Sequence, residues 1–97
     1  MSDEPVEIPI EDTLDLHPFR PYEIRDVTRD YLEEARRRGF RQVRLIHGRG
    51  MGVQRANVQS LLAELDFVES FHDADASGGG WGATVVLLKE LDSSSDE

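Results

Sequence analysis

Leu45-Ile46-His47-Gly48-Arg49-Gly50-Met51-Gly52 is the stretch on which the fold turns. It ends an apolar run, Val43 to Ile46 with Arg44 inside it, and leads into an amphipathic segment. Three glycines in five residues separate the two. This pattern predicts a strand, a tight glycine loop and a helix start. Backbone N–H groups and the helix dipole at such a junction favour an anion. Glycines let the backbone approach a phosphate closely and take positive φ. Arg49 supplies a forked cation suited to phosphate, and His47 a group that titrates near neutral pH. The plainer alternative is that the turn needs its glycines for steric reasons only.

Upstream, Thr13-Leu14-Asp15-Leu16-His17 alternates, with Leu14 and Leu16 on one side and Asp15 and His17 on the other. That is a strand with one buried face. Pro18 removes an N–H and biases His17 away from helix, which ends the strand. Pro21 suits a helix first turn. From Tyr22 to Arg38, Ile24, Val27, Tyr31, Leu32 and Ala35 recur at helical spacing, and Gly39 is a stop. Phe40 to Ile46 is the second strand.

Downstream, Val58, Leu61, Leu62 and Leu65 mark a helix over Val53 to Leu65. Arg55 falls in its first turn, where a cation opposes the dipole, which makes it a candidate anion contact. Phe67 to Phe71 reads as a third strand, and His72 to Gly82 as a polar, glycine-rich loop. Ala83 to Lys89 is a β-branched and leucine run suited to a central strand. The order strand, helix, strand, helix, strand, strand predicts an α/β two-layer sandwich, βαβαββ. Its mixed four-stranded sheet carries both helices on one face.

The chain has 97 residues, enough for one domain. Residues 1–11 read as an acidic flexible tail, 12–89 as the domain, and 90–97 as an acidic disordered tail. The absence of cysteine excludes disulfides and thiolate metal sites and fits a cytoplasmic setting. No basic n-region precedes an apolar stretch, so a signal peptide is not expected. No apolar run approaches the roughly 20 residues that cross a bilayer, so no membrane partner is expected.

Net charge is −9, yet residues 1–13 hold five acids and no base, and residues 90–97 four acids and no base. The span 14–89 balances 11 acids against 11 bases. Ten of the 11 bases lie between Arg20 and Arg55, against five acids there. A basic first half is compatible with phosphate-backbone binding. The plainer reading of Arg36-Arg37-Arg38 is a solvated helix end that complements the dipole.

His17 closes the first strand and His47 the second. In a parallel pair both ends lie on one sheet edge, where ligands of open α/β sheets bind. Asp15, His17, His47 and the loop can therefore converge, and such a set suits acid–base phosphodiester cleavage. The alternative is that each histidine only braces its own strand end. His72 is expected away from this edge, as an ordinary surface histidine. Two histidines and an aspartate are a plausible divalent-metal set, but no compact ligand motif supports one, and no cofactor is assigned. Trp81, between glycines, either stacks on a base or folds back onto the core.

Leu14-Asp15-Leu16-His17 resembles the LDLH motif of the Smr (small MutS-related) domain. Ile46-His47-Gly48-Arg49-Gly50 resembles its second motif, HGxG, and Gly80-Trp81-Gly82-Ala83-Thr84-Val85-Val86 the entry to its last strand. The resemblance covers about residues 12 to 89. It implies a βαβαββ sandwich similar to the C-terminal domain of translation initiation factor three, and nucleic-acid binding with DNA-nicking or RNA-cleaving activity. It implies Asp15, His17 and His47 as catalytic candidates. Gly48, Arg49, Gly50, Gly52, Arg55, Arg20 and Trp81 are the expected nucleic-acid contacts. Pro18 stands where the first motif usually ends in glycine, and Arg49 where lysine is common. A ribosome or repair complex is a candidate partner. A non-catalytic nucleic-acid or ribonucleoprotein binder, or a protein-interaction domain, remains as an alternative.

Overall fold

The computed structural model describes residues 10–48, 52–75 and 80–90. Four strands and two helices follow in the order β1 (Thr13–Asp15), α1 (Ile24–Arg37), β2 (Gln42–Ile46), α2 (Val53–Glu64), β3 (Val68–Asp73) and β4 (Ala83–Leu88). The sheet order is β1-β2-β4-β3. β1 and β2 are parallel, and β4 runs antiparallel to both β2 and β3. This is the mixed four-stranded sheet expected, with the apolar Ala83–Leu88 run in the interior of the sheet.

Residue alternation decides which side of each strand is covered. Val43 and Leu45 of β2 lie opposite Val86 and Thr84 of β4. These join Ile24, Leu32 and Ala35 of α1 and Val58 and Leu62 of α2 in the buried interior. Both helices therefore cover the same face, and the other face is open. Arg25 donates twice to the Glu64 carboxylate, at 2.8 and 2.9 Å, and so ties α1 to α2.

Local chemistry sets the element ends. A 3₁₀ turn at Pro21–Glu23 precedes α1, and the Arg20 N–H donates to the Glu23 side chain at 2.8 Å. The end of α1 is closed by Phe40 N–H to Ala35 carbonyl and Gly39 N–H to Arg36 carbonyl, both 3.0 Å. This is a Schellman closure, and Gly39 takes the φ of +92° that it requires. Phe40 is thereby used in the cap, and β2 starts later than the apolar pattern suggests. Arg36 reaches the carbonyls of Lys89 and Glu90 and lies 5.3 Å from the centre of the Phe67 ring, while Arg37 and Arg38 pair with Glu34.

Packing reaches back to Ile10, which lies against the core, and the Tyr31 hydroxyl donates to the Glu11 carbonyl. Thr28 is fully buried on α1 beside the apolar positions, and its hydroxyl has no hydrogen-bond partner among the described residues. β3 runs two residues further than the expected Phe71 end, to Asp73. Of the described helices, none is long and apolar enough to cross a membrane.

Candidate active site

The first motif forms a compact pair. Alternation in β1 turns Leu16 inward, where it is 2% exposed, and leaves Asp15 outside. A turn closed by Phe19 N–H to Leu16 carbonyl, 3.1 Å, then carries His17 back over Asp15. Pro18 sits inside that turn. Asp15 Oδ1 accepts from the His17 backbone N–H at 2.9 Å and meets ring Nδ1 at 2.6 Å. A carboxylate only accepts, so Nδ1 carries the hydrogen and Nε2 is the unprotonated nitrogen of the neutral ring. These two bonds from His17 hold the Asp15 carboxyl below the usual carboxylate range. His17 and Asp15 keep 61% and 57% of their side-chain surface exposed.

The second motif's histidine sits differently. His47 continues the Val43, Leu45 side of β2, under the helices, and is only 6% exposed. Nδ1 lies 3.1 Å from the Gly48 carbonyl and Nε2 lies 2.8 Å from Thr84 Oγ1. Both ring nitrogens are engaged. Burial pushes its pKa below the ordinary histidine value, and the Arg55 charge adds to this against the opposing bond to Gly48. The expectation of two imidazoles presented together on the edge is corrected here. The strand ends share an edge, but strand parity sends His17 outward and His47 inward.

Gly48 joins the two histidines. A Cβ built on it would stand 3.0 Å from His17 Nε2, at a φ of +84°. The His17 ring therefore lies against bare backbone. The Gly48 and His47 N–H groups both donate to the Gly82 carbonyl, at 2.8 and 3.1 Å. The loop's first two amides are thus held by the short 3₁₀ turn Gly80–Gly82, and do not wait open for an anion as expected of Gly48.

Arg55 is also accounted for within the chain. Its Nε and Nη2 meet the two carboxylate oxygens of Asp73 at 2.9 and 2.8 Å. This two-point contact pulls the Asp73 carboxyl below its usual range and raises the guanidinium. The cation that breaks the helix-dipole rule is answered by a carboxylate from β3. Gln59, one turn along α2, donates to Asp73 Oδ1 at 3.2 Å and to Thr84 Oγ1 at 3.1 Å. Thr84, Gln59 and Asp73 were not singled out from the sequence. The usable signal for Asp73 was parity, because it lies two residues beyond the core-facing Phe71.

His72 requires a correction. β3 has the same sense as β1 and β2, so its end lies on the same edge, and His72 is exposed on the helix-free face one residue before that end. There it borders an open groove of about 480 Å³ with Asp12, Thr13, Gln42 and Arg44. Arg20 is exposed just before the 3₁₀ turn, and Gly52 is the N-cap of α2, its carbonyl accepting from Ala56 N–H at 2.9 Å. Arg49, Gly50 and the Trp81 side chain lie outside the described residues. Among the described residues, no group of three or more His, Cys, Asp or Glu side chains is placed to hold a metal ion.

Fold and edge together define a class: a small α/β sandwich with an exposed Asp–His pair set across a glycine turn from a buried histidine. The chain belongs to the Smr domain family, whose model matches residues 14–89. It is similar to the crystal structure of the Smr domain of Thermus thermophilus MutS2, with a TM-score of 0.77 and 38% identity, over 81% of this chain and 99% of that one. It is also similar to YdaL, a stand-alone small MutS-related protein from Escherichia coli, with a TM-score of 0.72 and 30% identity, over 84% of this chain and 67% of that one. Among curated proteins, Endonuclease MutS2 of Thermus thermophilus is 47% identical over 58 residues, 60% of this chain and 8% of that protein. Endonuclease MutS2 of Carboxydothermus hydrogenoformans is 38% identical over 76 residues, 78% of this chain and 10% of that protein. The chain thus spans a tenth or less of the length of these two curated relatives.

Proposed function

We propose that this Smr domain binds nucleic acid at the edge formed by Asp15, His17 and the glycine loop, and cleaves phosphodiester bonds there. One observation carries the reading: an exposed imidazole whose Nδ1 is held 2.6 Å from the Asp15 carboxylate. Its relatives' designation as endonucleases supports the same chemistry.

The roles follow from the hydrogen-bond directions. Asp15 accepts from Nδ1–H and so keeps Nε2 as the proton acceptor. Nε2 takes a proton from the attacking water, or from a ribose hydroxyl in RNA. The imidazolium that forms is stabilised by Asp15 and returns the proton to the leaving oxygen. Arg20, Arg49 and the α2 N-terminus supply positive potential for the phosphate. His47 serves as a brace for Gly48 in this reading, since both its nitrogens are engaged.

The test uses supercoiled plasmid and structured RNA as substrates. Wild type yields nicked plasmid or cleaved RNA. His17→Ala lowers the rate by about 10²–10⁴-fold, the usual contribution of a general acid–base group. Equal product from wild type and His17→Ala refutes the cleavage assignment. A second reading, binding without cleavage, draws on the capture of the Gly48 and His47 amides by Gly82, which removes two donors from phosphate stabilisation. It predicts affinity that falls steeply with salt and no product.

A further inference from the structure

We infer that Thr84, Gln59 and Asp73 are positioning residues: they fix which nitrogen of His47 carries the proton, and so pin the Gly48 backbone against which His17 rests. The catalytic consequence rests on the reading of His17 given above, whereas the proton placement does not.

Donors and acceptors set the order of the network. Asp73 is acceptor-only and both its oxygens take bonds from Arg55. The Gln59 group that faces Asp73 must therefore be the amide nitrogen, which sets the side chain's orientation by chemistry. That nitrogen also reaches Thr84 Oγ1, at 3.1 Å. The threonine oxygen thus accepts from Gln59 and keeps one hydrogen and one further lone pair for His47 Nε2, 2.8 Å away. The other side of the ring decides between them: a carbonyl can only accept, so Nδ1–H donates to Gly48, and the bare Nε2 of the neutral ring takes the Thr84 hydrogen. Every link points one way: Gln59 to Thr84, Thr84 to His47, His47 to the Gly48 carbonyl.

The end of the chain is where it matters. Gly48 has its carbonyl held by His47 and its N–H held by Gly82. It is fixed from both sides at a positive φ, with His17 Nε2 against its α-carbon face. If Thr84 turned its hydrogen elsewhere, the buried Nε2 would lose its donor. The ring would then favour the other tautomer, Nδ1–H would be lost, and the Gly48 carbonyl would be released. Thr84 is fully buried, so no water substitutes at its hydroxyl without repacking. The chain spans α2, β3, β4 and the end of β2, so helix packing and strand register both bear on the seat of an exposed residue.

Nitrogen-detected NMR of the histidine rings in the free protein tests this without any substrate. The expected wild-type result is a protonated Nδ1 and a bare Nε2 on His47. Thr84→Val removes the hydroxyl at near-constant shape and shifts His47 toward a mixture of tautomers, with displaced Gly48 and His17 resonances. Thr84→Ser restores the wild-type pattern. Asp73→Asn, which leaves Thr84 in place but replaces an acceptor-only group by one acceptor and one donor and so unfixes the Gln59 amide, shifts the tautomer in the same direction and serves if Thr84→Val does not fold. On an active substrate, Thr84→Val lowers kcat with KM held, and Thr84→Ser rescues it. A protonated Nε2 in wild type, or a His47 tautomer unchanged in both Thr84→Val and Asp73→Asn, overturns the inference. The expected tautomer together with full cleavage by His17→Ala overturns only the assignment of His17.

Discussion

Substituting Gly48 by alanine separates backbone strain from the seating of His17. Gly48 has a φ of +84°, where an L-residue costs about 1–2 kcal/mol. The new methyl would also stand 3.0 Å from His17 Nε2, inside the roughly 3.5–4.0 Å of ordinary carbon contact. The ring is exposed and gives way, leaving the nitrogen that holds Asp15 displaced. Gly39→Ala is the matched control: its φ is +92°, and a Cβ there meets nothing within 4 Å. Both variants lose about 1–2 kcal/mol, which in a domain of this size lowers Tm by roughly 4–8 °C per kcal/mol. Only Gly48→Ala moves the His17 ring signals and lowers cleavage. Calorimetry gives the first quantity, and histidine NMR with a plasmid nicking assay gives the second. Equal His17 shifts in the two variants, or none in Gly48→Ala, would refute the claim that Gly48 forms the seat of His17.

Stability should fall on mild acidification. His47 has its folded pKa depressed below the ordinary value of 6.5, so the neutral ring's contribution is complete above pH 6.5 and drains as pH drops through the folded value. Arg55 and His17 oppose its protonation and Asp73 favours it. Melting at pH 7.5 and 5.5 should show a drop in wild type that His47→Gln reduces; a flat wild-type profile speaks against the burial argument. Thr28→Val should stabilise the fold by about 1 kcal/mol, since it removes a buried hydroxyl that lacks a partner. A denaturant titration in which the midpoint falls would contradict this. Arg55→Ala should lower affinity for the phosphate backbone less than Arg49→Ala does, and should reduce Tm more, since it leaves Asp73 without its two-point contact. The reverse ranking would place Arg55 on the nucleic acid.

Much of this architecture was legible in the residues. Apolar spacing along Ile24 to Ala35, alternation in Thr13 to His17, and the run from Ala83 to Leu88 are local patterns with local causes. They sufficed for the element order, the parallel first pair and the interior last strand. Gly39 marked its helix end because only glycine takes the required φ at no cost. Both strand-end histidines were visible as a pair, since parallel strands finish on one edge.

Their separate fates were a matter of three-dimensional packing. His47 follows Val43 and Leu45 by strand parity, but which face the helices cover is set only when two strands and two helices share one interior. The same holds for Arg55 and Asp73, 18 residues apart and joined only when α2 packs against β3. A period of two or of 3.6 encodes which residues share a side. It does not encode which side acquires a neighbour, because burial belongs to pairs of elements. That choice turned one histidine into an exposed acid–base candidate and the other into a buried brace.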